Sequence, residues 1–392
     1  MKIRTTLAAL SVLALAACAS PQQQTPADDT APIRFGLIYS QSGLLASYGE
    51  QYLRGFDAGL HYATGGTGKV GNRPIEIVKA DDGGDPAKAT AAAKDLIGKG
   101  IKMIGGTGSS SVAVQLAPLA AQNKVLFIDG PASADAITGA NRYTFRAGRQ
   151  TLQDVLNIKA AVGAPAGKKI AVFAQDNTFG QGNFKAVQTV LGAAGATVSA
   201  ILVPVAATDF TPFALQAKDA HADLLYVSWA GNTGAAMWQA LHQQGVLAST
   251  AVLTGLDQRP SWPQFGQAAT GVTFAAHYVD GASDNAAAKA LRAFGTGGPI
   301  DTFSPDGFNL AQMLVRAAQA GGGEDVEKMI SALEGWSFEG VKGTLTVRAE
   351  DHALLQPMYQ VKLSGQPSAF TATVVRTLSP QEVAPPPVAM KG

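Results

Sequence analysis

An α/β fold of two lobes, each a parallel sheet wrapped by helices, is what this sequence predicts, and three observations carry the prediction. Short apolar runs alternate with helical patterns from Ile33 onward, the ordering that yields parallel strands joined by crossover helices. With 392 residues, 46% hydrophobic and 15% charged, the chain exceeds the size at which one core keeps growing, so two domains are expected. Finally, Arg142-Tyr143-Thr144-Phe145-Arg146 reads as a short strand leading into a helix near Thr151, and a second strand and helix series starts at Lys168-Lys169-Ile170. The lobe boundary therefore falls near residue 147. A formal net charge of +1 implies neither nucleic acid nor an anionic surface as partner.

The chain opens with a basic pair, Lys2 and Arg4, then an apolar segment from Leu7 to Ala17 that is short for a membrane span. Residues 1–17 are read as a secretory signal peptide. Leu15-Ala16-Ala17-Cys18 resembles the lipobox of bacterial lipoproteins, which implies cleavage before Cys18 and lipid on its sulfur. Cys18 is the one cysteine of the chain, so an internal disulfide and a cysteine-based zinc site are both excluded. Residues 18–32, polar and punctuated by Pro21, Pro26 and Pro32, read as a flexible tether from that anchor.

Beyond the tether, strands are expected at 33–39, 75–79, 101–104, 125–128, 170–174, 197–203, 224–229, 251–254 and 272–277. The first helix is expected over 49–63, with Tyr52, Phe56 and Leu60 inward. A second, over 86–99, has Pro86 suitably in its first turn, and a third carries Val114, Leu116 and Leu119 with a bend at Pro118. Later helices are expected at 180–194, 233–244, 285–294, 303–320 and 326–333. Strand fragments at 344–348 and 358–363 close the pattern, and 376–392, with Pro385-Pro386-Pro387, reads as a disordered tail.

The chemistry concentrates in Ile104-Gly105-Gly106-Thr107-Gly108-Ser109-Ser110-Ser111, which reads as strand, turn and helix start. Such a turn aims backbone N–H groups, hydroxyls and the positive end of a helix at one point, where a carboxylate is a natural guest. Helix capping by Ser109 or Ser110 is the plainer alternative. Gly66-x-Gly68-x-x-Gly71 has the letters of a dinucleotide fingerprint, but it follows a helix and precedes a strand, the reverse of what the fingerprint needs. A polar hairpin-like connection is expected there instead. Asp81, Asp82 and Asp85 are read as turn and capping residues rather than metal ligands, because a Gly pair separates them and Pro86 follows. The five histidines, His61, His221, His242, His277 and His352, are scattered singly, so no metal cluster and no Ser-His pair is legible, and neither an enzyme nor a cofactor is expected.

Several stations along the chain carry a family resemblance. They are Ser42-Gly43 with Tyr48-Gly49-Glu50, then Asp81-Asp82-Gly83-Gly84-Asp85-Pro86, then Ile104 to Ser111, Gly130-Pro131-Ala132-Ser133, Phe145-Arg146, and Asp176-Asn177-Thr178-Phe179-Gly180. In this order they resemble the type I periplasmic solute-binding proteins, the leucine/isoleucine/valine-binding kind that feed ABC importers, over nearly all of 33–363. The resemblance implies two Rossmann-like lobes joined by three hinge strands, with the chain crossing back to the first lobe and ending in the second. Lobe 1 is expected over 33–147 and 280–336, and lobe 2 over 148–279 and 337–375.

Carried over by position, the resemblance implies that Ser109, with Ser110 and Ser111 beside it, holds a ligand carboxylate and that Ser133 binds from the next loop. Tyr48 matches an aromatic that covers the ligand. Across the cleft, Phe179 and Trp229 or Ala230 match aromatic positions, and Asp257 matches an acidic residue that binds a ligand ammonium. Each has a plainer rival: Tyr48 as a staple on Tyr52, Trp229 as core at a strand end, Asp257 as a turn residue before Pro260. Leu256 and Gln258 depart from the family's usual small or polar flanks of the acidic residue. The implied function is that of a periplasmic, lipid-anchored binding protein that captures a small carboxylate, an amino acid or derivative, by cleft closure and delivers it to ABC permease subunits. The alternatives are a lipoprotein of the same fold that activates a peptidoglycan synthase by contact, or a ligand sensor.

Overall fold

The fold is given by a computed structural model that describes residues 30–294 and 300–391. The expected signal peptide, Cys18 and most of the expected tether lie outside those residues. The first lobe is built on β1 (Ile33–Tyr39), β2 (Lys69–Val70), β3 (Arg73–Asp81), β4 (Met103–Gly106), β5 (Leu126–Asp129) and β6 (Thr144–Arg146), with α1 (Ala46–Ala63), α2 (Pro86–Gly98) and α3 (Ser110–Asn123) between them. Its six strands run in the order β2-β3-β1-β4-β5-β6, all parallel except the β2–β3 hairpin. That hairpin occupies the Gly66–Gly71 region, as its context in the sequence required. The order reverses beside β1, so the loops after β1 and β4 diverge and open a crevice at the carboxyl ends of the strands, where such sheets take their ligands.

The second lobe comprises α4 (Thr151–Val162), β7 (Lys169–Asp176), α5 (Thr178–Val187), β8 (Thr197–Pro204), α6 (Thr211–Asp219), β9 (Leu224–Ser228), α7 (Gly234–Gln243), α8 (Val246–Ser249), β10 (Ala251–Thr254) and β11 (Phe274–Ala276). Its parallel sheet has the order β10-β9-β7-β8. The helix expected over 180–194 starts earlier, capped by the Asn177 side chain, and ends in a π turn, Gln188–Gly192.

The chain then returns with α9 (Ala286–Ala293), α10 (Ser304–Gly321), α11 (Val326–Leu333), β12 (Ser337–Gly340), β13 (Gly343–Val347) and β14 (Leu354–Leu355). The helices α10 and α11 join the first core, where Leu310, Met313, Leu314, Met329 and Ile330 pack with Phe35, Phe56 and Phe145. Glycines let α1 and α10 touch: a Cβ on Gly55 would stand 1.8 Å from the Ser304 carbonyl oxygen, and one on Gly307 would stand 2.0 Å from that of Tyr52. The sheet β12–β14 packs on the same core through Phe338, Leu345, Val347 and Leu354. This corrects the expectation that 337–355 belong to the second lobe, because those strands bury their apolar faces under α10 rather than on the second sheet. Only β15 (Met358–Ser364) and β16 (Thr371–Leu378) cross over, with β15 pairing antiparallel to β11. Up to β15 the chain thus passes between lobes three times, after β6, after β11 and before β15.

The expected disordered tail is also corrected. Val383 is buried with Met358 and Leu378, the Pro385 carbonyl accepts from Arg348 at 2.7 Å, and the Val388 amide donates to Asp351 at 3.1 Å. At its end, the Lys391 amide bonds the Gly139 carbonyl at 3.0 Å. Three prolines do not prevent docking, because an extended chain needs no internal hydrogen bonds.

Candidate functional site

A cavity of about 540 Å³ lies between the lobes, and all nine residues expected to contact a ligand line it: Tyr48, Ser109, Ser110, Ser111, Ser133, Phe179, Trp229, Ala230 and Asp257. They arrive on the loops and first helical turns that follow strands of both sheets. The sequence marked no cleft role for Arg149, Asp154, Tyr226, Ser228, His277 or Phe303, which line it too.

The turn after β4 is shaped by Gly106 and Thr107, with φ of 110° and 69°. A Cβ on Gly106 would come within 2.2 Å of the Ile38 carbonyl oxygen, so only glycine fits. A β-branched residue in the left-handed region is costly. Two bonds hold Thr107 there: its hydroxyl donates to Asp82 at 2.6 Å and accepts from the Ser109 amide at 3.2 Å. Asp82 also accepts from Ser40 at 2.7 Å and from the Gly84 amide at 2.7 Å. Asp81 gathers the Gln41 and Ser42 amides, the Ser42 hydroxyl and Lys88, donors that outweigh its partial burial and hold its carboxyl well below the usual range. Asp85 caps α2 by accepting the Lys88 amide at 2.8 Å. These acidic residues therefore build the loops around the cavity.

Ser109 caps α3, accepting the Val112 amide at 3.5 Å. Capping and ligand contact do not exclude one another here, since the residue also lines the cavity. Ser110 spends its hydroxyl on the Ala134 amide at 3.2 Å, and Ser133 receives the Thr151 hydroxyl at 3.3 Å. The first-turn amides of Ser110 and Ser111 have no carbonyl behind them by the geometry of a helix start, and the helix dipole makes that end positive.

Contacts across the cleft join the two rims. Ser111 donates to the Thr178 hydroxyl at 2.9 Å. Tyr48, in the first turn of α1 rather than before it, donates to Asp257 at 2.8 Å and accepts the Gly231 amide at 3.1 Å, with its ring 4.4 Å from that of Phe303. Gly231, at φ 87°, presses against Leu44: a Cβ there would meet its Cγ at 2.5 Å. Gln51 and Ser47 bracket Gln258 at 2.6 and 3.1 Å. Burial raises the Asp257 carboxyl above its ordinary range, against donors from Gln258, Tyr48 and Ser261.

The Trp229 ring packs on Phe173 and Phe210 and its Nε1 donates to Thr233 at 3.0 Å, and the residue also lines the cavity. Ala230 is fixed by a reciprocal pair with the Gln175 side chain, both bonds 3.1 Å. Below the cavity the crossings are tied by buried polar groups: Asn309 donates to the Ala147 carbonyl at 3.0 Å and Lys342 to that of His277 at 2.7 Å. No three His, Cys, Asp or Glu side chains gather in a metal-holding group among the described residues.

Two α/β lobes, a cleft at the carboxyl ends of both sheets and rims that bond to one another define the class of two-lobed solute receptors. Residues 32–367 match the periplasmic binding protein family, and the chain belongs to it. It is 27% identical to the Leu/Ile/Val-binding protein BraC3 of Rhizobium johnstonii over 78% of this chain and 84% of that one. A branched-chain amino acid transporter protein of Rhodopseudomonas palustris, solved as a crystal structure, is 32% identical, with a TM-score of 0.73 over 92% of this chain and all of the other (100%). A solute-binding protein of an ABC transporter from R. palustris, solved in complex with 4-hydroxybenzoate, is 25% identical with a TM-score of 0.79, covering 89% of this chain and 97% of that one.

Proposed function

We propose that this chain is an extracytoplasmic solute-binding lipoprotein of an ABC importer, anchored through Cys18, that captures a small carboxylate in the cleft and releases it to permease subunits. The observation that carries the reading is the convergence of the nine residues on one cavity of about 540 Å³ between rims that bond across the cleft. The carboxylate docks at the start of α3, on Ser109 to Ser111, and Ser133 closes that side; Phe179, Trp229 and Ala230 cover the body of the ligand from the second lobe. Because these groups come from both lobes, ligand favours the closed form. A buried aliphatic group contributes about 2 kcal/mol and each hydrogen bond to a charge about 2 kcal/mol. A few of each reach the roughly 8 kcal/mol of micromolar binding. The names of the relatives point the same way, since branched-chain amino acids and 4-hydroxybenzoate are all small carboxylates. The work is binding rather than catalysis, and the formed cavity favours it over action by protein contact alone.

A thermal-shift screen against amino acids, amides and aliphatic and aromatic acids tests this. The expected result is a raised midpoint for one compound class in the wild type and loss of the shift in Ser109→Ala. A panel in which no compound moves the wild-type midpoint contradicts it.

A further inference from the structure

Capture in the cleft leaves open which charges a ligand must carry, and the cavity's own charges bear on that. Three carboxylates line it, and each already has a protein donor. Asp85 accepts the Lys88 amide at 2.8 Å, Asp154 accepts Arg149 Nε at 3.3 and 3.2 Å on its two oxygens, and Asp257 accepts Tyr48 at 2.8 Å. An ammonium entering here would share its carboxylate with a protein group rather than find an unengaged one.

Arg149 presents the opposite case. A guanidinium carries five N–H donors in a fixed fork. Nε is taken by Asp154 and one Nη1 hydrogen by the Pro131 carbonyl at 3.3 Å, while Nη2 has no protein acceptor among the described residues. The side chain is 11% exposed, lies over the Phe303 ring with Cζ 6.0 Å from the centroid, and stands at the first crossing between lobes. Its charge acts on Tyr48, Tyr226 and His277, which line different parts of the cavity wall. A positioned, largely desolvated guanidinium with free donors is complementary to an acceptor oxygen and repels an ammonium.

Resting on the capture reading, we infer that Arg149 is a ligand-binding residue and that the ligand is a carboxylic acid without an ammonium group, which presents an acceptor oxygen to Nη2. The Asp154 side chain is then a positioning group that holds the fork toward the cavity, and Asp257 belongs to the cross-cleft bond with Tyr48.

Matched pairs separate the two ligand chemistries at constant shape: L-leucine against 4-methyl-2-oxopentanoate, and L-phenylalanine against phenylpyruvate, each by calorimetry on the purified protein. The expected result is that in at least one pair the 2-oxo acid binds about tenfold or more tightly than the amino acid, as one good charge-assisted hydrogen bond implies. Arg149→Gln should weaken that acid about tenfold, and Arg149→Lys, which keeps the charge without the fork, should weaken it less. The double variant Arg149→Gln/Asp154→Asn removes the pair together, so an unchanged unliganded midpoint there shows that a lost affinity is not a lost fold. An amino acid bound more tightly than its 2-oxo partner, with dependence on Ser109, overturns this inference and leaves capture in the cleft intact. An acid whose affinity is unmoved by Arg149→Gln overturns it as well. If neither pair binds, an amine-free acid of the wider panel, such as 4-hydroxybenzoate, that binds and is weakened about tenfold by Arg149→Gln supports the inference; if no compound of the panel binds, the capture reading fails with it.

Discussion

Tyr48 uses one hydroxyl for two bonds to the opposite lobe, donating to Asp257 and accepting from Gly231. Tyr48→Phe keeps the ring on Phe303 but leaves a half-buried carboxylate and an amide without their partner. The closed state should lose about 1–3 kcal/mol, the cost of stranding such groups, and apparent affinity should fall roughly tenfold or more in proportion to the closed fraction. Titration calorimetry checks this, and an unchanged affinity would remove Tyr48 from the closure. At this scale the sequence was informative where chemistry is local. A Gly-Gly turn, three hydroxyls and a helix pattern follow one another in the chain, and the loop that lines the cavity after β4 could be read from them. Arg149 gave no such signal, because its role comes from Asp154, Pro131 and Phe303 surrounding it, and only the last of these shows distance in sequence as well as in pattern. Asp257 was legible as a cleft residue, yet its partner Tyr48 lies far away in the chain, in another lobe.

Among elements, the α1–α10 contact sets the shape of the first lobe, and glycine is what permits it. Gly55→Ala forces a Cβ against a carbonyl oxygen 1.8 Å away, so the helices must separate. The expected cost is about 2–3 kcal/mol, read as a midpoint lowered by about 5 °C or more. Gly182→Ala in α5 is the matched control: nothing lies within 4 Å of its Cβ, and helix propensity predicts up to about 1 kcal/mol of gain. The docked tail gives a second prediction. Burial acts to raise the Asp351 carboxyl, but the Arg348 fork at 2.8 and 2.6 Å and the Val388 and Ala353 amides outweigh it and lower the value below its ordinary one. A depressed folded value means that its contribution is complete above the unfolded value of about 3.9 and is lost as pH falls through the folded value. Amide exchange at Val388 and Lys391 should therefore accelerate as pH drops below about 4 beyond the intrinsic change, and Asp351→Asn should show the same acceleration at neutral pH. Strand and helix positions were readable because they rest on local periodicity; the placement of β12–β14 and of the tail was not, because each is decided by a surface contributed from elsewhere in the chain.

For the whole molecule, three crossings and a set of rim bonds hold two lobes around one cleft. The alternation of strands and helices predicted two parallel lobes from residues alone, and the resemblance in the loops placed the cleft between them. What neither gave was the degree to which protein groups bond across the rims, through Tyr48, Ser111, Gln51 and Gln258. On the proposed capture reading, those bonds belong to the closed form that a ligand completes. Small-angle X-ray scattering of the purified protein, alone and saturated with the compound that most raises its unfolding midpoint, tests this directly. The radius of gyration should fall on ligand addition to a profile matching the closed two-lobed structure, and Tyr48→Phe should need more ligand to reach it. A ligand that binds with calorimetric heat while the scattering profile stays unchanged would contradict capture by closure.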